Sequence, residues 1–189
     1  ENIELKDEES LISNSLVPIN VKDKEFNKFI NLYERANDKL LQELYLVKKE
    51  IKDTYSYDMI NTITSRIKTP QSILNKMKKK NYELNYKNLV QNINDIAGIR
   101  ITCPFKSDIF TIKEIIEQME DIRIIEEKDY ISNPKLSGYS AYHLIVEVPI
   151  DFKNKEIYIK CEIQIRTMAM DFWATAEHKM RYKSKNKIS

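Results

Sequence analysis

The sequence is poor in the residues from which several common kinds of site are built. Among 189 residues it has two glycines, two histidines, two cysteines and one tryptophan. Two glycines cannot form the glycine-rich loop of a Rossmann or Walker nucleotide site, and neither histidine stands near a G-x-S-x-G nucleophile elbow. Two cysteines exclude a disulfide scaffold and a Cys-rich zinc site. Both cysteines lie in alternating apolar runs, so we expect buried thiols, which fit a reducing cytoplasm.

Long apolar segments are missing as well. No apolar run approaches the ~18 residues that a membrane-spanning helix needs, so the sequence predicts no membrane association. Residues 1–10 hold five acids and one lysine, which is unlike a secretory signal. Residues 1–20 have no apolar period and are predicted to be a flexible lead-in. Residues 21–189 are enough for one domain that buries about 70% of its unfolded surface.

Charge is balanced overall but unevenly placed. The net charge of +2 comes from 31 basic and 29 acidic residues. Residues 66–80 contain six cations and no acid, and residues 179–187 contain five cations and no acid. Local basicity of this kind suits polyphosphate or nucleic acid, whereas a solvated helix face is the alternative for any single lysine run.

Apolar periodicity predicts an α+β fold. A stripe spaced by three and four residues from Phe26 to Ile51 indicates a long amphipathic helix that packs on a sheet. Further helices are predicted over 71–80, from Ser107 and after Thr167. Strands are predicted at 61–68, 97–103, 122–127, 139–148 and 156–165. Because these elements do not alternate strictly, we expect a mixed sheet of about five strands flanked by helices.

The helix predicted after Thr69 begins like an anion-binding site. Thr69 is a suitable N-cap, and the proline that follows it is favoured at the first helical position. Ser72 lies in the first turn and Lys76 one turn further, so free backbone N–H groups, a hydroxyl and an ammonium meet near one helix end. Arg66 and Lys68 flank this helix start.

A second polar group is predicted on neighbouring strands. The outward face of the last strand carries Glu162, Gln164 and Arg166, while Asp95 precedes a strand that carries outward Arg100. If the two strands are adjacent, two carboxylates and two guanidinium groups converge. Carboxylates with waters and nucleotide phosphates are the usual ligands of Mg²⁺, and arginine suits bidentate phosphate contacts. A solvated strand face is the alternative.

Three aromatic or imidazole side chains have competing interpretations. Tyr139 and His143 share one face of a predicted strand, where the ring could stack on a base while the imidazole contacts phosphate or sugar. A half-buried histidine satisfied by its neighbours is the alternative. Trp173 is expected in the core.

Three segments of the chain carry a family resemblance. They read I-N-D-I-A-G-I-R-I (93–101), S-N-P-K-L-S-G-Y-S-A-Y-H (132–143) and E-I-Q-I-R-T-M-A-M-D-F-W-A-T-A-E-H (162–178). They resemble the synthetase domain of the RelA/SpoT-homologue family, more narrowly its small alarmone synthetases of the RelQ type. The resemblance covers about residues 25–185. It implies a nucleotidyltransferase-like fold and a GTP pyrophosphokinase of the stringent response, which transfers the β,γ-pyrophosphate of ATP to the ribose 3′-oxygen of GDP or GTP and yields (p)ppGpp and AMP.

The resemblance also implies roles for individual residues. Asp95 and Glu162 would be catalytic and would bind Mg²⁺, with Glu162 activating the 3′-hydroxyl and Tyr139 stacking on guanine. The residues that would bind ATP are Arg66, Lys68, Ser72, Lys76 and Arg100. The residues around the guanine nucleotide would be Lys135, Tyr139, His143, Gln164 and Ala174.

The sequence departs from the family pattern beside the guanine site. Where the family reads N-P-K-P-N-G-Y-R/Q-S, this chain has Leu136, Ser137, Ser140 and Ala141 in place of Pro, Asn, Arg/Gln and Ser. An arginine missing at position 140 removes a phosphate contact. We therefore expect acceptors with fewer phosphates, GMP among them, to be used relatively well.

Two further properties follow from the resemblance. The hydrolase activity of long family members needs histidines and a His-Asp pair, and this chain has no His-Asp dipeptide, so we predict synthesis without degradation. Family likeness also implies a homo-oligomer, a tetramer.

Two alternatives from other classes stay open. A toxic relative would transfer pyrophosphate to the 3′ end of tRNA, with the basic stretches at 66–80 and 179–187 as an RNA footprint. A non-catalytic RNA-binding module on a decayed scaffold is the other.

Overall fold

A computed structural model describes residues 16–185 of the chain, in which ten elements follow one another. The helices are α1 (Lys24–Tyr55), α2 (Pro70–Lys79), α3 (Tyr86–Asn92), α4 (Lys106–Glu117) and α5 (Met168–Lys185). The strands are β1 (Thr62–Ile67), β2 (Ala97–Cys103), β3 (Arg123–Asp129), β4 (Tyr142–Phe152) and β5 (Lys155–Thr167). None of the helices within this range combines the length and apolar character of a membrane span.

The five strands form one mixed sheet in the order β1-β2-β5-β4-β3. Strands β2 and β5 are parallel, and the other neighbouring pairs are antiparallel. This confirms the predicted α+β class with a mixed sheet of about five strands. The parallel pair is central, so each of its strands is hydrogen-bonded on both sides.

The long helix α1 covers one face of the sheet. Its stripe of apolar side chains, from Phe26 to Ile51, is buried as predicted. The stripe meets the inward residues of β5, of which Cys161, Ile163 and Ile165 have no exposed surface. Because strand side chains alternate between faces, the opposite face of β2 and β5 is left for polar residues.

Helix α2 starts as its sequence predicts. The Thr69 hydroxyl accepts a hydrogen bond from the backbone N–H of Ser72 at 3.3 Å, and Pro70 occupies the first turn. At the other end of the sheet, the Thr167 hydroxyl accepts from the backbone N–H of Met170 at 3.1 Å and so starts α5.

Several local predictions were wrong. Helix α4 begins after Phe105 rather than at Ser107, and the N–H of Phe105 donates to the carboxylate of Asp108 at 3.0 Å. The strand predicted from Tyr139 begins at Tyr142, and Tyr139 lies in the irregular segment before it. Trp173 is 39% exposed and not a core residue.

The first described residues are hydrogen-bonded to the segment that begins α3. Neither α3 nor this contact was predicted. The N–H of Ile19 donates to the carbonyl of Leu84 at 2.8 Å, and Pro18 bridges Asn85, the N-cap of α3. The end of the predicted lead-in 1–20 is therefore ordered. Residues 1–15 of that lead-in lie outside the described residues.

Candidate active site

The polar face of the parallel strand pair forms the floor of a cleft. Glu162 lies opposite Gly98, and Gln164 lies opposite Arg100, in the register of β2 and β5. Arg66 from the neighbouring β1 and Asp95 from the loop before β2 complete an open cleft of about 170 Å³. The adjacency that the sequence left open is thus present, and it brings Asp95, Glu162, Arg66 and Arg100 to one place.

Asp95 is held by two lysines. Lys68 Nζ lies 2.9 Å from Asp95 Oδ2, and Lys76 Nζ, from α2, lies 2.8 Å from Oδ1. Burial raises the pKa of Asp95, but the hydrogen bonds and charges of Lys76 and Lys68 outweigh burial and hold that pKa below its ordinary value. The carboxylate is therefore ionised at neutral pH, and both ammonium groups are fixed at the edge of the cleft.

Ser72 is the predicted ATP ligand that the structure leaves outside this cleft. Its side chain is at the exposed start of α2, and its hydroxyl accepts from the Thr69 hydroxyl at 2.8 Å. The backbone N–H of Ser72 is the group that Thr69 caps at the start of α2, and Lys76 of the same helix reaches Asp95.

Glu162 is held by two side-chain partners. Its Oε1 accepts from Gln164 Nε2 at 2.7 Å, and its Oε2 lies 3.3 Å from Nδ1 of His143, on the neighbouring strand β4. Burial raises the pKa of Glu162, but His143 and Gln164 outweigh it, so the pKa lies below its ordinary value. The charge of Asp95 acts in the opposite direction and raises it, which fits two acids that face one cleft.

The contacts around Glu162 close into a ring. The hydroxyl of Tyr139 lies 2.8 Å from Nε2 of His143, and Arg166 donates to that hydroxyl at 3.4 Å. Arg166 also donates to Oε1 of Gln164. Since Arg166 donates a hydrogen bond to the Tyr139 oxygen, that hydroxyl can in turn donate to Nε2 of His143, and in that tautomer the Nδ1–H of His143 faces Glu162.

Of the remaining residues predicted around the guanine nucleotide, Lys135 lies beside this ring. Lys135 Nζ sits 4.5 Å from the ring centre of Tyr130 and 5.1 Å from that of Tyr139. Ala174 is half-buried on α5, next to Trp173. The indole of Trp173 packs on Gly138, where an added Cβ would come within 3.0 Å of it. Gly138 also has a φ of 82°, so this turn requires glycine.

The two carboxylates are a partial set of metal ligands. Within residues 16–185 there is no group of three or more Asp, Glu, His or Cys side chains that could bind a metal ion. Each carboxylate oxygen can accept two hydrogen bonds, so Asp95 and Glu162 keep free lone pairs beside their present donors. Two protein carboxylates completed by waters and substrate phosphates are a usual way of binding Mg²⁺. The residues present therefore fit this ion.

Several buried polar atoms near the cleft make no hydrogen bond. In the described part of the chain, Nε of Arg100, Nε of Arg166 and Oδ1 of Asp171 are buried and make no hydrogen bond. Buried polar groups are nearly always satisfied, so unsatisfied ones mark a place where a ligand or water completes the structure.

Sequence reasoning missed three residues of this region. Asp171 lies in the first turn of α5 and faces Arg100, which periodicity could not reveal because the partner is on another element. Gly98 lines the cleft, and a glycine inside a predicted strand was a usable signal of an unusual position. Tyr130 precedes the turn and had no signal.

Comparisons with known proteins agree on one family. A family model described as the region found in RelA / SpoT proteins matches residues 65–187. The GTP pyrophosphokinase YwaC of Bacillus subtilis (strain 168) is 43% identical over 157 residues, which are 83% of this chain and 75% of that protein. The GTP pyrophosphokinase YjbM of the same organism is 38% identical over 170 residues, or 88% and 77% of the two chains. The crystal structure of small alarmone synthetase 1 from Bacillus subtilis bound to its product pppGpp matches with a TM-score of 0.78 at 37% identity, covering 85% of this chain and 81% of that chain.

Proposed function

The chain belongs to the RelA/SpoT family, among its small alarmone synthetases, and we propose that it works as a GTP pyrophosphokinase through the cleft between Asp95 and Glu162. The enzyme transfers the β,γ-pyrophosphate of ATP to the ribose 3′-hydroxyl of a guanine nucleotide and releases AMP, so that (p)ppGpp is made. The observation that carries the proposal is the cleft itself. It places cations on one side of two carboxylates and an aromatic, hydrogen-bonded cluster on the other.

The donor side of the cleft suits a triphosphate. Arg66 and Arg100 line it, and Lys68 and Lys76 stand at its edge, each within 3 Å of Asp95. Transfer of a phosphoryl group needs little covalent chemistry from the protein, because catalysis comes from positioning and charge neutralisation. These four cations orient the ATP phosphates and stabilise the charge that develops during transfer. Ser72 lies in the first turn of α2, where it is hydrogen-bonded to the N-cap Thr69.

The acceptor side suits a guanine nucleoside. Tyr139 offers an aromatic face for the base, and Lys135, His143, Gln164 and Ala174 surround it. Glu162 is ionised at neutral pH because His143 and Gln164 lower its pKa. It therefore accepts the proton of the 3′-hydroxyl as that oxygen attacks the β-phosphorus.

Asp95 and Glu162 would together hold Mg²⁺ beside the phosphates of the substrate. When bound, the ion supplies charge neutralisation between donor and acceptor. The protein's own part is to keep both carboxylates ionised and aimed into one cleft, which the lysines do for Asp95 and the Gln164–His143 pair does for Glu162.

The residues on either side of Tyr139 bear on which guanine nucleotide the enzyme prefers as acceptor. Leu136 is fully exposed, and Ser140 stands where the family pattern has arginine or glutamine. A short hydroxyl cannot reach a 5′-phosphate chain as an arginine does, so we expect kcat/KM for GMP and GDP to equal or exceed that for GTP. Comparing the three acceptors under the same conditions tests this, and a strong preference for GTP would contradict it.

Product analysis tests the function. The protein is incubated with Mg²⁺ and ATP labelled at the γ-phosphate, together with GMP, GDP, GTP or tRNA, and the products are separated by chromatography. We expect label in a 3′-pyrophosphorylated guanine nucleotide and none in tRNA. Label in tRNA alone would favour the toxic relative, and no transfer to either would favour the RNA-binding module. Incubation with purified ppGpp tests the prediction that the chain does not degrade its product.

Two further properties are proposals. We place the enzyme in the cytoplasm, supported by two unpaired cysteines without exposed surface, Cys103 and Cys161, whose thiol pKa burial raises to about 12. Family likeness supports a homotetramer, which light scattering of the purified protein would test.

A further inference from the structure

Helix α5 follows β5 directly, and a carboxylate in its first turn lies at the cleft. Its first turn places Asp171 over the polar face of the sheet, where Oδ1 lies 3.3 Å from Arg100 and 3.6 Å from Arg166. Oδ1 is buried and makes ion pairs with both guanidinium groups rather than aligned hydrogen bonds. One acid thus stands between two arginines that come from neighbouring strands.

The two arginines need such an acid. Arg100 and Arg166 are diagonal neighbours on the same face of the parallel pair β2 and β5, because Thr102 lies opposite Arg166. Arg166 has 3% of its side chain exposed, so it cannot turn away from Arg100 into solvent. Burial lowers the pKa of Arg166 and the charge of Arg100 lowers it further, whereas Tyr139 and, after it, Asp171 raise it. A buried charge without a partner is destabilising. Removing one member of a buried ion pair therefore leaves the other charge uncompensated.

The same arginines serve opposite sides of the cleft. Arg100 lines the donor side with Asp95 and Arg66. Arg166 donates to the hydroxyl of Tyr139 and to Gln164 on the acceptor side. We propose that Asp171 is a positioning residue for the transfer reaction, which fixes Arg100 toward the ATP phosphates and at the same time holds Arg166 against the Tyr139–Gln164 side. The identification of Arg100 as a phosphate ligand rests on the proposed function.

The loss of Asp171 would affect the two sides unequally. Arg166 is enclosed and keeps its bonds to Tyr139 and Gln164. The Arg100 side chain is 36% exposed, and Asp171 is the acid that contacts it in the described residues. Without the carboxylate, repulsion from Arg166 turns Arg100 toward solvent. ATP binding should therefore suffer more than binding of the guanine nucleotide.

Three variants test the proposal. Asp171→Asn removes the charge at nearly constant shape, Asp171→Glu restores it, and Glu177→Gln is a matched control on the same helix, where Glu177 pairs with Arg181 away from the cleft. For Asp171→Asn we expect KM for ATP to rise about tenfold and KM for GDP less than about threefold. Asp171→Glu should recover most of the loss, and the control should match the wild type. Equal changes in the two KM values, or none, in a folded Asp171→Asn protein would overturn the proposal.

A double-mutant cycle tests the route through Arg100. Binding of an ATP analogue with a methylene bridge between the α- and β-phosphorus is measured by calorimetry for Asp171→Asn, Arg100→Met and the double variant. If Asp171 acts through Arg100, adding Asp171→Asn to Arg100→Met costs little further affinity. Additive losses would overturn the proposal. Because the analogue reports binding without transfer, coupling in this cycle would uphold the role of Asp171 even if product analysis rejected the proposed reaction.

Discussion

The two faces of strand β5 come from the same stretch of chain but differ in role: one packs in the core and the other forms the site. On one face Ile159, Cys161, Ile163 and Ile165 lie in the core, with 3% or less of their surface exposed. On the other face Lys160, Glu162, Gln164 and Arg166 alternate with them and meet no apolar layer. The apolar face needs only bulk and shape, and many neighbours share its contribution to stability.

The chemistry of the polar face depends on individual hydrogen bonds and ion pairs. Several of its side chains have partners outside β5: Glu162 meets His143 on β4, and Arg166 meets Tyr139 in the segment before β4. A change on the apolar face should therefore alter stability and leave the chemistry of folded molecules unchanged. A change at Glu162, Gln164 or Arg166 on the polar face should do the reverse.

The largest expected effect comes from Glu162→Gln. The amide is nearly isosteric but cannot accept the 3′-hydroxyl proton or hold a cation, so we expect kcat to fall by about 10²- to 10³-fold, on the scale of losing one oxyanion donor. The melting temperature should shift by less than about 4 °C, the change that corresponds to about 1 kcal/mol in a domain of this size.

Glu147→Gln is the matched control for that prediction. Glu147 lies on neighbouring β4 and pairs with Arg123, away from the cleft. We expect activity within a factor of about two of the wild type, as for a surface pair outside the site. Near-native turnover by Glu162→Gln would remove Glu162 from the chemistry and, with it, the distinction between the two faces.

The adjacent residue on the opposite face gives the second prediction. Ile163 has no exposed surface and lies opposite Ile99 and Leu144 in the sheet. Ile163→Ala should lower the free energy of unfolding by about 2–5 kcal/mol, and Ile163→Val by about 1 kcal/mol, because a cavity replaces packed methyl groups. Denaturant unfolding measures this. Turnover per folded molecule should stay at the native value, since β5 keeps its hydrogen bonds to β2 and β4. A large loss of turnover would mean that core packing also sets the geometry of the cleft.

The apolar face could be predicted from the sequence, and the polar face only in part. Alternation placed Ile163 inside and Glu162 outside because burial in a strand has a period of two. The three-and-four spacing of α1 likewise fixed which of its sides meets the sheet. In both cases the signal lies within one element and is repeated several times.

The partners on the polar face have no such signal. Asp171 reaches Arg100 only because α5 folds back over β2, and Tyr139 reaches Arg166 only because a turn precedes β4. Trp173 is predicted in the core, yet its ring packs on Gly138 at the rim of the site. The seven residues of α3 are too few for periodicity to show. Such contacts depend on tertiary placement, which a family resemblance suggests and a pattern does not.

The third prediction concerns pH. His143 and Gln164 hold the pKa of Glu162 below its ordinary value against the effect of burial. A carboxylate with a lowered pKa stays ionised, and keeps its stabilising contacts, until the pH falls through that pKa. His143→Leu removes the main lowering contact, so burial dominates and the acid limb of the kcat/KM profile should move to higher pH.

The control for the pH prediction keeps a donor in place. His143→Asn retains an N–H near the position of Nδ1, so its acid limb should move less than that of His143→Leu, although both variants lose turnover. The readout is the position of the limb rather than the rate. Identical limbs in all three proteins would mean that His143 does not set the ionisation of Glu162.

The smallest effect is expected at Lys160, which lies on the polar face but does structural work. Its ammonium donates to the carbonyls of Val90 and Gln91 at 3.2 and 3.4 Å, at the carboxyl end of α3 where a cation is favoured. It also reaches the side chain of Asn94 at 3.5 Å, just before Asp95.

Lys160→Met keeps the aliphatic stem and removes these contacts. The free energy of unfolding should therefore fall by about 1 kcal/mol, with kcat unchanged. A hundredfold fall in kcat would extend the catalytic face to Lys160, whereas unchanged stability would show that water replaces the ammonium at α3. The expected result restricts the chemistry of β5 to its end nearer α5, where Glu162, Gln164 and Arg166 lie.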